Sequence, residues 1–379
     1  MKNLAYDALV ELTESILIQG FGYTTAEAAV TAEVLAEADA RGIPSHGVSR
    51  LAFYRKNLDG GFARPGAEPE VVWRTPCSMV VDGHDGVGCY VADWSIHRMI
   101  DLAAGVGTAF CAVRNSNHYG IAGWWAEQIA RYNMIGLAFT NTPAAGVPTN
   151  GRRRMLGTNP IAVAIPEADG RVFLLDMATT TVAHGKIEVY DRRDKPMPHG
   201  WVLDENGRDT SDATSFEKAY YSTNYGGHLY LGGEGEELGG HKGYGLGLLV
   251  ELLCSGLSMG LASMKTFRPG GGSGLTHFFG ALRLDLFGEA EEIKRHIAGI
   301  LDDIRGSEKI EGRDRIYIHG EKEAEARERS MREGVYLDQA TRDYLASLID
   351  EFNLDDPTGL LKSPAADVDL QSLPQVAAG

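Results

Sequence analysis

Apolar residues recur at helical spacing close to both ends of the chain. Leu9 and Leu12 belong to the first such run, and a Thr24–Glu27 capping-box pattern opens a second, alanine-rich helix. The segment from about residue 288 to about residue 353 is also charged and helical in pattern. These patterns predict that segments near the two ends of the chain form a helical part of the protein.

The middle of the chain alternates between strand-like and helical runs. Two β-rich runs, Ile161–Ile165 and Val172–Asp176, are separated by only six residues. Six residues are too few for a crossover helix, so the two strands should be antiparallel neighbours. This expectation argues against a simple doubly wound dinucleotide-binding fold.

The composition is that of a globular protein with a strongly acidic surface. The 379 residues are 44% hydrophobic and carry a formal net charge of −16, and the length favours two domains. An acidic surface repels nucleic acid and anionic lipid, and no apolar run is long enough to span a membrane, so neither partner is expected. The four cysteines are scattered without a CxxC pair, which predicts no metal site and suits the reducing cytoplasm.

Common site motifs are mostly absent. Neither the Gly-x-Gly-x-x-Gly fingerprint of Rossmann folds nor a P-loop occurs in the sequence. Gly256–Gly260 does match the Gly-x-Ser-x-Gly pattern of serine hydrolases, with Ser258 at its centre. A nucleophile elbow joins a strand to a helix, whereas Ser258 follows a long helical run, so hydrolase chemistry at Ser258 is the less favoured alternative.

Four polar clusters stand where predicted elements begin or end. They are Ser45–Gly47, Asn117–Gly120, Asp176–Thr181 and Lys242–Gly245. Each alone has an ordinary structural explanation, such as a helix cap or a glycine turn. Together they favour a binding cleft, because clefts are built from such loop ends. Arg50 follows His46 by four residues, so the two share one face if a helix starts at Ser45.

These clusters belong to six stretches that resemble, in order, the motifs of one enzyme family. The stretches are ADARGIPSHGVSRL, SNHYGIAGWWA, GTNPIAVAIP, LDMATTTVAHGKI, GHKGYGLGLLVELLCSGL and THFFGALRLDLF. They are similar to those of the malate/L-lactate dehydrogenase family, which is unrelated to the Rossmann-type dehydrogenases. The resemblance covers residues from about 4 to about 350. It leaves the substrate open, since the family includes malate, lactate, sulfolactate and ureidoglycolate dehydrogenases, diketogulonate reductase and an imino-acid reductase.

The resemblance implies an α/β fold with a mostly antiparallel cofactor-domain sheet inserted in a helical domain. The helical domain would comprise residues 1–118 and 288–353, the cofactor-binding domain residues 119–287, and a loosely held tail residues 354–379. The resemblance also implies a homodimer that transfers hydride between NAD(P) and a small 2-hydroxy or 2-keto acid.

The same resemblance assigns residues to the substrate. His118 and His46 are alternative acid/base groups, with His118 slightly favoured. Arg50 would bind the substrate carboxylate through its planar fork, and Tyr54 would line the pocket. Ser45 would hydrogen-bond the substrate or orient His46.

The resemblance also assigns residues to the cofactor. They are Thr140, Asn141, Thr158, Asn159, Asp176, Met177, Ala178, Lys186, Lys242 and Gly243. The lysines and a glycine-rich turn could hold a pyrophosphate. NAD is preferred slightly over NADP, although Arg152–Arg154 could contact a 2′-phosphate. Arg283–Leu284 replaces the Asp-Pro of relatives at a strand end expected beside the cofactor.

The resulting hypothesis is a cytoplasmic, homodimeric NAD(P)-dependent 2-hydroxy-acid dehydrogenase, with malate or lactate as the substrate. Other substrates of the same family are the first alternative. A serine hydrolase using Ser258 and a non-catalytic metabolite-binding relative are alternatives of other classes.

Overall fold

The computed structural model describes residues 2–361, in which helices surround one large sheet. The helices are α1 (Tyr6–Ser15), α2 (Thr25–Ala40), α3 (Leu51–Asp59), α4 (Gly88–Val106), α5 (Ala122–Ala130), α6 (His184–Arg192), α7 (Ala213–Ser222), α8 (Gly240–Glu251), α9 (Ala290–Gly306), α10 (Glu321–Glu333) and α11 (Gln339–Phe352). A π-helical turn, Leu252–Gly256, continues α8 directly.

The strands form a seven-stranded mixed sheet and a small two-stranded one. They are β1 (Glu70–Arg74), β2 (Ser78–Asp82), β3 (Thr108–Ser116), β4 (Met134–Thr140), β5 (Ile161–Pro166), β6 (Val172–Met177), β7 (Val202–Leu203), β8 (Gly227–His228) and β9 (Leu275–Arg283). The large sheet has the order β1-β2-β3-β9-β4-β5-β6, and β7 pairs with β8. Only the β2–β3 pair of the large sheet is parallel. The predicted antiparallel hairpin is confirmed as β5 and β6.

The capping box predicted at the start of α2 is present. The Thr24 side chain accepts from the Glu27 amide at 3.3 Å, and the Glu27 carboxylate accepts from the Thr24 amide at 2.8 Å. Two orphan amides of the helix start are thereby satisfied, which fixes where α2 begins. Glu27 also accepts from the amide of Gly66, so the cap ties α2 to the segment before β1.

Both faces of the large sheet are covered, but unequally. The main core lies between the sheet and helices α4 and α5. The opposite face carries a smaller core under α8 that includes Phe139, Val250 and Phe278. A separate helical core joins α1, α2, α3 and α11, so the two chain ends pack together as the sequence predicted.

Five strand ends meet at one edge of the sheet. Thr140 at the end of β4 pairs with His277 at the start of β9, and Ile161 at the start of β5 pairs with Met177 at the end of β6. Ser116, the last residue of β3, lies in register with the first residue of β9. The loops that follow β3, β4 and β6 therefore leave the sheet side by side, and they carry five of the predicted site residues: His118, Asn141, Thr158, Asn159 and Ala178.

The sheet crosses the domain boundary that was drawn at residue 118. Strands β1–β3 precede this boundary and β4–β6 and β9 follow it, yet all belong to one sheet. The division into two domains stays a prediction. Of the predicted tail, residues 354–361 are described and place Leu354, Leu360 and Leu361 against the helical core, while the rest lies outside the described residues. Within the described part of the chain, no helix meets the length and apolarity that a bilayer crossing requires.

Candidate active site

The Ser45–His46–Gly47 loop is held by a buried carboxyl group. Asp39, in the last turn of α2, accepts a hydrogen bond from the Val48 amide at 2.8 Å. Gly47 lies so close that an added Cβ would stand 2.0 Å from the Asp39 carboxylate oxygen. The glycine of the motif is therefore required by packing.

The chain between α2 and α3 is not one helix. Pro44–His46 and Val48–Arg50 form separate 3₁₀ turns, and α3 begins only at Leu51. The idea that a helix starting at Ser45 places His46 and Arg50 on one face is wrong in its geometry. The two side chains are nevertheless close, because the Arg50 Nε–H turns back to donate to the Ser45 carbonyl at 2.5 Å.

His118 stands on the loop that follows β3. The preceding residue, Asn117, donates from its amide nitrogen to the carbonyls of Asp85 and Gly86 at 3.0 Å, which fixes the loop against the α4 entry. The His118 Nδ1 accepts from the Gly120 amide at 3.3 Å and lies 3.0 Å from the Tyr54 hydroxyl. Nδ1 is thereby engaged, and Nε2 is the nitrogen left for a substrate.

Five predicted substrate residues come together in one cluster, which we call the substrate cluster: Ser45, His46, Arg50, Tyr54 and His118. The His46 and His118 rings stack with centroids 5.6 Å apart. The Ser45 Oγ lies 3.0 Å from the His46 Nδ1, which leaves Nε2 as the second nitrogen of this ring as well. Residues that are far apart in sequence thus form one polar site.

Arg50 supplies the positive charge of the substrate cluster. Its side chain is only 5% exposed, and its Nη1 has no hydrogen-bond partner among residues 2–361. Burial lowers the pKa of Arg50 to about 10, so the guanidinium remains charged at neutral pH. A buried cation with a free N–H is costly unless an anion pairs with it, which makes this atom the natural contact for a carboxylate.

Both histidines of the substrate cluster are neutral at pH 7. Burial, reinforced by the Arg50 charge, lowers the pKa of His46 to about 3. Burial followed by the Arg50 charge also holds the pKa of His118 well below its ordinary value. Burial and the Arg50 charge therefore both disfavour a proton on these imidazoles.

The first group of predicted cofactor residues lies beyond β4 and before β5. Thr140, Asn141, Thr158 and Asn159 are neighbours there, but the side chains of Asn141 and Asn159 turn inward. Both asparagines are fully buried and donate to the Glu251 carboxylate at 3.4 and 2.9 Å. Their amide groups are occupied by the protein, and the buried Thr140 hydroxyl bonds to the Asn141 and Thr276 carbonyls, so any direct cofactor contact from this region falls to Thr158 and the backbone.

The second group of predicted cofactor residues, Asp176, Met177 and Ala178, lies at the end of β6. The Asp176 carboxylate accepts from the Gly123 amide at 2.7 Å, in the first turn of α5, where the helix dipole favours an anion. Met177 and Ala178 continue from it, and the Thr179 amide bonds to the Thr158 carbonyl at 2.9 Å. The two groups therefore lie side by side at the sheet edge.

Lys242 and Gly243 lie in the first turn of α8, beside a cavity. The helix lies directly on the chain at Leu231, because a Cβ on Gly243 would stand 2.3 Å from the Leu231 nitrogen. A cavity of about 320 Å³ is bounded by Gly240, Tyr230 and Arg152, among others. Lys242 is exposed, and so is Lys186 on α6. Among residues 2–361, no side-chain hydrogen bond or ion pair joins Lys186 to the other predicted cofactor residues. A helix start without a side-chain cap beside a cavity fits the phosphates of a dinucleotide.

Two expectations are corrected by the structure. Arg283 ends β9 opposite Met134, at the far end of a strand whose site end is His277, roughly 20 Å away. Its guanidinium binds Asp285 and the Ala104 carbonyl, so Arg283–Leu284 does not lie at the cofactor residues. Ser258 is fully buried and donates to the Cys254 carbonyl at 2.7 Å, so the hydrolase alternative is wrong.

The structure separates the members of the arginine triplet. Arg154 is buried and packs its guanidinium 4.0 Å from the centre of the Tyr220 ring, so it faces the interior and not a phosphate. Arg153 is exposed, and Arg152 is the member that lines the 320 Å³ cavity.

Sequence reasoning missed several supporting residues. His277 lies under the site, where its Nδ1 is 2.8 Å from the Thr140 hydroxyl and its ring stacks on Tyr119 at 4.4 Å. Asp39 and Glu251 were missed as well. Glu251 carried a usable signal, because it is the one charged residue in the apolar run GLGLLVELLCSG.

Comparisons with known proteins identify the family of this chain. A family model described as malate/L-lactate dehydrogenase matches residues 4–346. Malate dehydrogenase of Pyrococcus horikoshii is 41% identical over 302 residues, which cover 79% of this chain and 82% of that protein. L-sulfolactate dehydrogenase of Methanocaldococcus jannaschii is 34% identical, covering 89% of this chain and 94% of that protein. The relatives also include a Δ1-pyrroline-2-carboxylate/Δ1-piperideine-2-carboxylate reductase of Pseudomonas aeruginosa.

A solved structure supports the same assignment. Malate dehydrogenase of Entamoeba histolytica is similar with a TM-score of 0.89 at 30% identity, over 93% of this chain and 99% of that one. The predicted α/β fold class and the enzyme class, an oxidoreductase acting on hydroxy acids with a nicotinamide cofactor, are confirmed. The chain belongs to the malate/L-lactate dehydrogenase family.

Proposed function

We propose that this enzyme interconverts malate and oxaloacetate, with NAD preferred over NADP, as a cytoplasmic homodimer. The observation that carries the proposal is the Arg50 Nη1, a buried cationic N–H without a partner among the described residues, beside two neutral imidazoles. A 2-hydroxy acid offers what this site lacks, which is a carboxylate for Arg50 and a hydroxyl for an imidazole. Malate is the first candidate because the 41% identical relative is a malate dehydrogenase.

In the proposed mechanism the substrate carboxylate pairs with Arg50. Pairing neutralises the charge that depresses the histidine pKa values, so the bound substrate raises the pKa of His118 toward the range where it can carry a proton. His118 then gives a proton from Nε2 to the keto oxygen on reduction and takes it back on oxidation. A bound nicotinamide supplies or accepts the hydride.

Tyr54 orients the imidazole during this exchange, whereas the Gly120 amide donates to Nδ1 only while Nδ1 carries no proton. The Tyr54 hydroxyl can donate to Nδ1 or accept from it, so it can support both tautomers of His118. His46, stacked on His118, stays neutral and excludes water from one ring face. Because Tyr54 supports both tautomers of His118, His118 is preferred to His46 as the acid/base group.

The cofactor is proposed to lie along the sheet edge from Thr140 to the start of α8. Its pyrophosphate would bind at the first turn of α8, with Lys242 as the cation. The preference for NAD rests on Glu234, which lines the 320 Å³ cavity and suits a ribose hydroxyl, whereas Arg152 on the same cavity would suit a 2′-phosphate. Comparing kcat/KM for NADH and NADPH, in the wild type and in Arg152→Ala, decides between the two.

The homodimer is proposed to form through the outer face of α8 and its π-helical turn. Leu249, Leu252, Leu257 and Met259 are exposed there, and Met259 is 78% exposed. Glu251 is the only charge between residues 243 and 260 and it is buried, so two copies of this face meet without repulsion despite the net charge of −16. Light scattering should give twice the chain mass for the wild type and for Ile310→Lys, which changes an exposed residue elsewhere, and less for Leu252→Lys.

The activity is tested by following nicotinamide absorbance with a panel of substrates. The panel comprises oxaloacetate, pyruvate, sulfopyruvate and Δ1-piperideine-2-carboxylate, each with NADH and NADPH. The highest kcat/KM is expected for oxaloacetate. A higher value for sulfopyruvate or for the cyclic imino acid would replace malate by that substrate, and no turnover with any of them would refute the proposal.

A further inference from the structure

A single carboxylate lies buried between α8 and the sheet edge that carries the predicted cofactor residues. Glu251 is 4% exposed in an otherwise apolar helical run. Its Oε1 accepts from the Asn141 Nδ2 at 3.4 Å, the Ser255 Oγ at 3.3 Å and the Ser263 amide at 2.8 Å. Its Oε2 accepts from the Asn159 Nδ2 at 2.9 Å and the Ser263 Oγ at 2.5 Å. All of these donors are neutral groups, so the carboxylate is stabilised by hydrogen bonds alone.

The donors come from separate segments of the chain. Asn141 follows β4, Asn159 precedes β5, and Ser263 lies on the loop after the π-helical turn. Each asparagine also accepts a hydrogen bond from a backbone amide, and so connects Glu251 to a further segment. The Asn141 Oδ1 accepts from the Thr276 amide at 2.8 Å, and the Asn159 Oδ1 accepts from the Thr142 amide at 3.3 Å.

Glu251 and its hydrogen-bond donors, which we call the hub, therefore fix the backbone next to the predicted cofactor threonines. Thr140 precedes Asn141 and Thr158 precedes Asn159, so each threonine is one residue from a side chain that Glu251 holds. α8 supplies the carboxylate, and its first turn carries Lys242. One side chain thus links the helix proposed to hold the pyrophosphate with the two loops proposed to hold the rest of the cofactor.

We infer that Glu251 is a positioning residue for the cofactor: it fixes segments 140–142 and 157–159 against α8 through Asn141, Asn159 and Ser263. This inference rests on the proposed function for the identity of the ligand. It also gives Asn141 and Asn159 a supporting role in place of the direct contact that the family resemblance implied.

Glu251→Gln is the sharpest test, because the shape is kept and only the acceptor character changes. The new NH₂ group would face N–H or O–H donors on one side of the hub, and at least one asparagine or serine would lose its partner. Ser255→Ala is the matched control, because Ser255 also donates to Glu251 but belongs to the same helical run and holds neither loop.

Three measurements are made on each variant. Hydrogen exchange of the protein without cofactor should become at least tenfold faster at residues 140–142 and 157–159 in Glu251→Gln, and should stay unchanged there in Ser255→Ala. Calorimetry should show NADH binding weakened at least tenfold in Glu251→Gln and less than twofold in Ser255→Ala. Steady-state kinetics should place the loss in KM for the cofactor and leave KM for the keto acid within about threefold.

Unchanged exchange at both segments in Glu251→Gln would overturn the inference, and so would equal losses in the two KM values. If Glu251→Gln does not fold, Ser263→Ala removes one hydroxyl donor from the hub and should show the same pattern at smaller size. Should the wild type bind no nicotinamide dinucleotide, the proposed function fails. The exchange measurement would still decide whether Glu251 fixes the two segments.

Discussion

The imidazole rings of His46 and His118 are stacked, with their centroids 5.6 Å apart and their planes 26° apart. The residues are 72 positions apart in sequence, one on the turn after α2 and the other on the loop after β3. Both lie within the field of the Arg50 guanidinium, which lowers the pKa of each. Two imidazoles this close to a buried cation and to each other share at most one proton, so only one of them acts as the proton carrier in a turnover.

Separate replacement of the two histidines identifies the carrier. His118→Asn should lower kcat by roughly 10²- to 10⁴-fold, the range for loss of a general acid/base, with little change in the KM of the keto acid. His46→Asn should lower kcat by about tenfold or less, because it removes a neighbour of the acting ring. Steady-state kinetics with saturating cofactor provides both numbers, and the opposite ranking would transfer the acid/base role to His46.

Anion binding at Arg50 should be accompanied by proton uptake. Burial and, after it, the Arg50 charge lower the histidine pKa values. A carboxylate paired with Arg50 removes the second cause, so these pKa values rise and binding is accompanied by proton uptake as the pH is lowered. Oxamate, a non-reactive keto-acid analogue, is a suitable probe. Calorimetry of oxamate binding in buffers with different ionisation enthalpies measures the uptake.

Arg50→Met is the control for the proton uptake. This variant lacks the cation, so oxamate should bind at least about 30-fold more weakly, as expected when one partner of a buried charge pair is removed. Binding in the wild type without proton uptake at pH 5–6 would contradict the proposed coupling between Arg50 and the imidazoles.

Local patterns predicted the hairpin and a cleft at loop ends, whereas the family resemblance assigned the residues of the substrate cluster. The hairpin β5–β6 followed from a connection too short for a helix, and Ser45, His46 and His118 stood next to chain reversals, where clefts form. The capping box fixed the start of α2 for the same local reason.

The orientation of the predicted cofactor side chains could not be predicted in the same way. Asn141 and Asn159 stand at strand ends like cofactor ligands, but Glu251, about 100 residues later, decides where they point. Arg283 was misplaced because the direction of β9 relative to β4 is a property of the assembled sheet. In both cases the position depends on a residue or strand distant in sequence, and hydrophobic periodicity does not show such partners.

Asp39→Asn should alter how stability depends on pH. Burial raises the pKa of Asp39 to about 8, whereas an unfolded aspartate titrates near pH 4, so between these values the folded protein keeps a proton that the unfolded chain loses. The free energy of unfolding therefore falls as pH rises through this window, by at most about 1.4 kcal/mol per pH unit for this group. The variant lacks this contribution.

Urea denaturation of Asp39→Asn and the wild type at pH 5 and pH 8 measures the effect. The variant should gain stability relative to the wild type at the higher pH. Asp101→Asn, which changes an exposed carboxylate on α4, should show a difference that does not vary with pH. A constant difference for Asp39→Asn would mean that Asp39 is ionised in the folded protein.

Gly47→Ala should damage the substrate cluster through a steric conflict with Asp39. Its Cβ would stand 2.0 Å from the Asp39 Oδ1, so the loop must move, at a cost of about 1–3 kcal/mol as for other overpacked sites. His46 moves with the loop, so kcat/KM should fall at least tenfold. Gly105→Ala is the control, because that Cβ meets open space on α4 and should be neutral or slightly stabilising. Combining Gly47→Ala with Asp39→Ala should cost less than the sum of the single changes, since the clashing carboxylate is gone. Additive losses in kcat/KM and in urea midpoint would show that Gly47 is required for a reason other than its contact with Asp39.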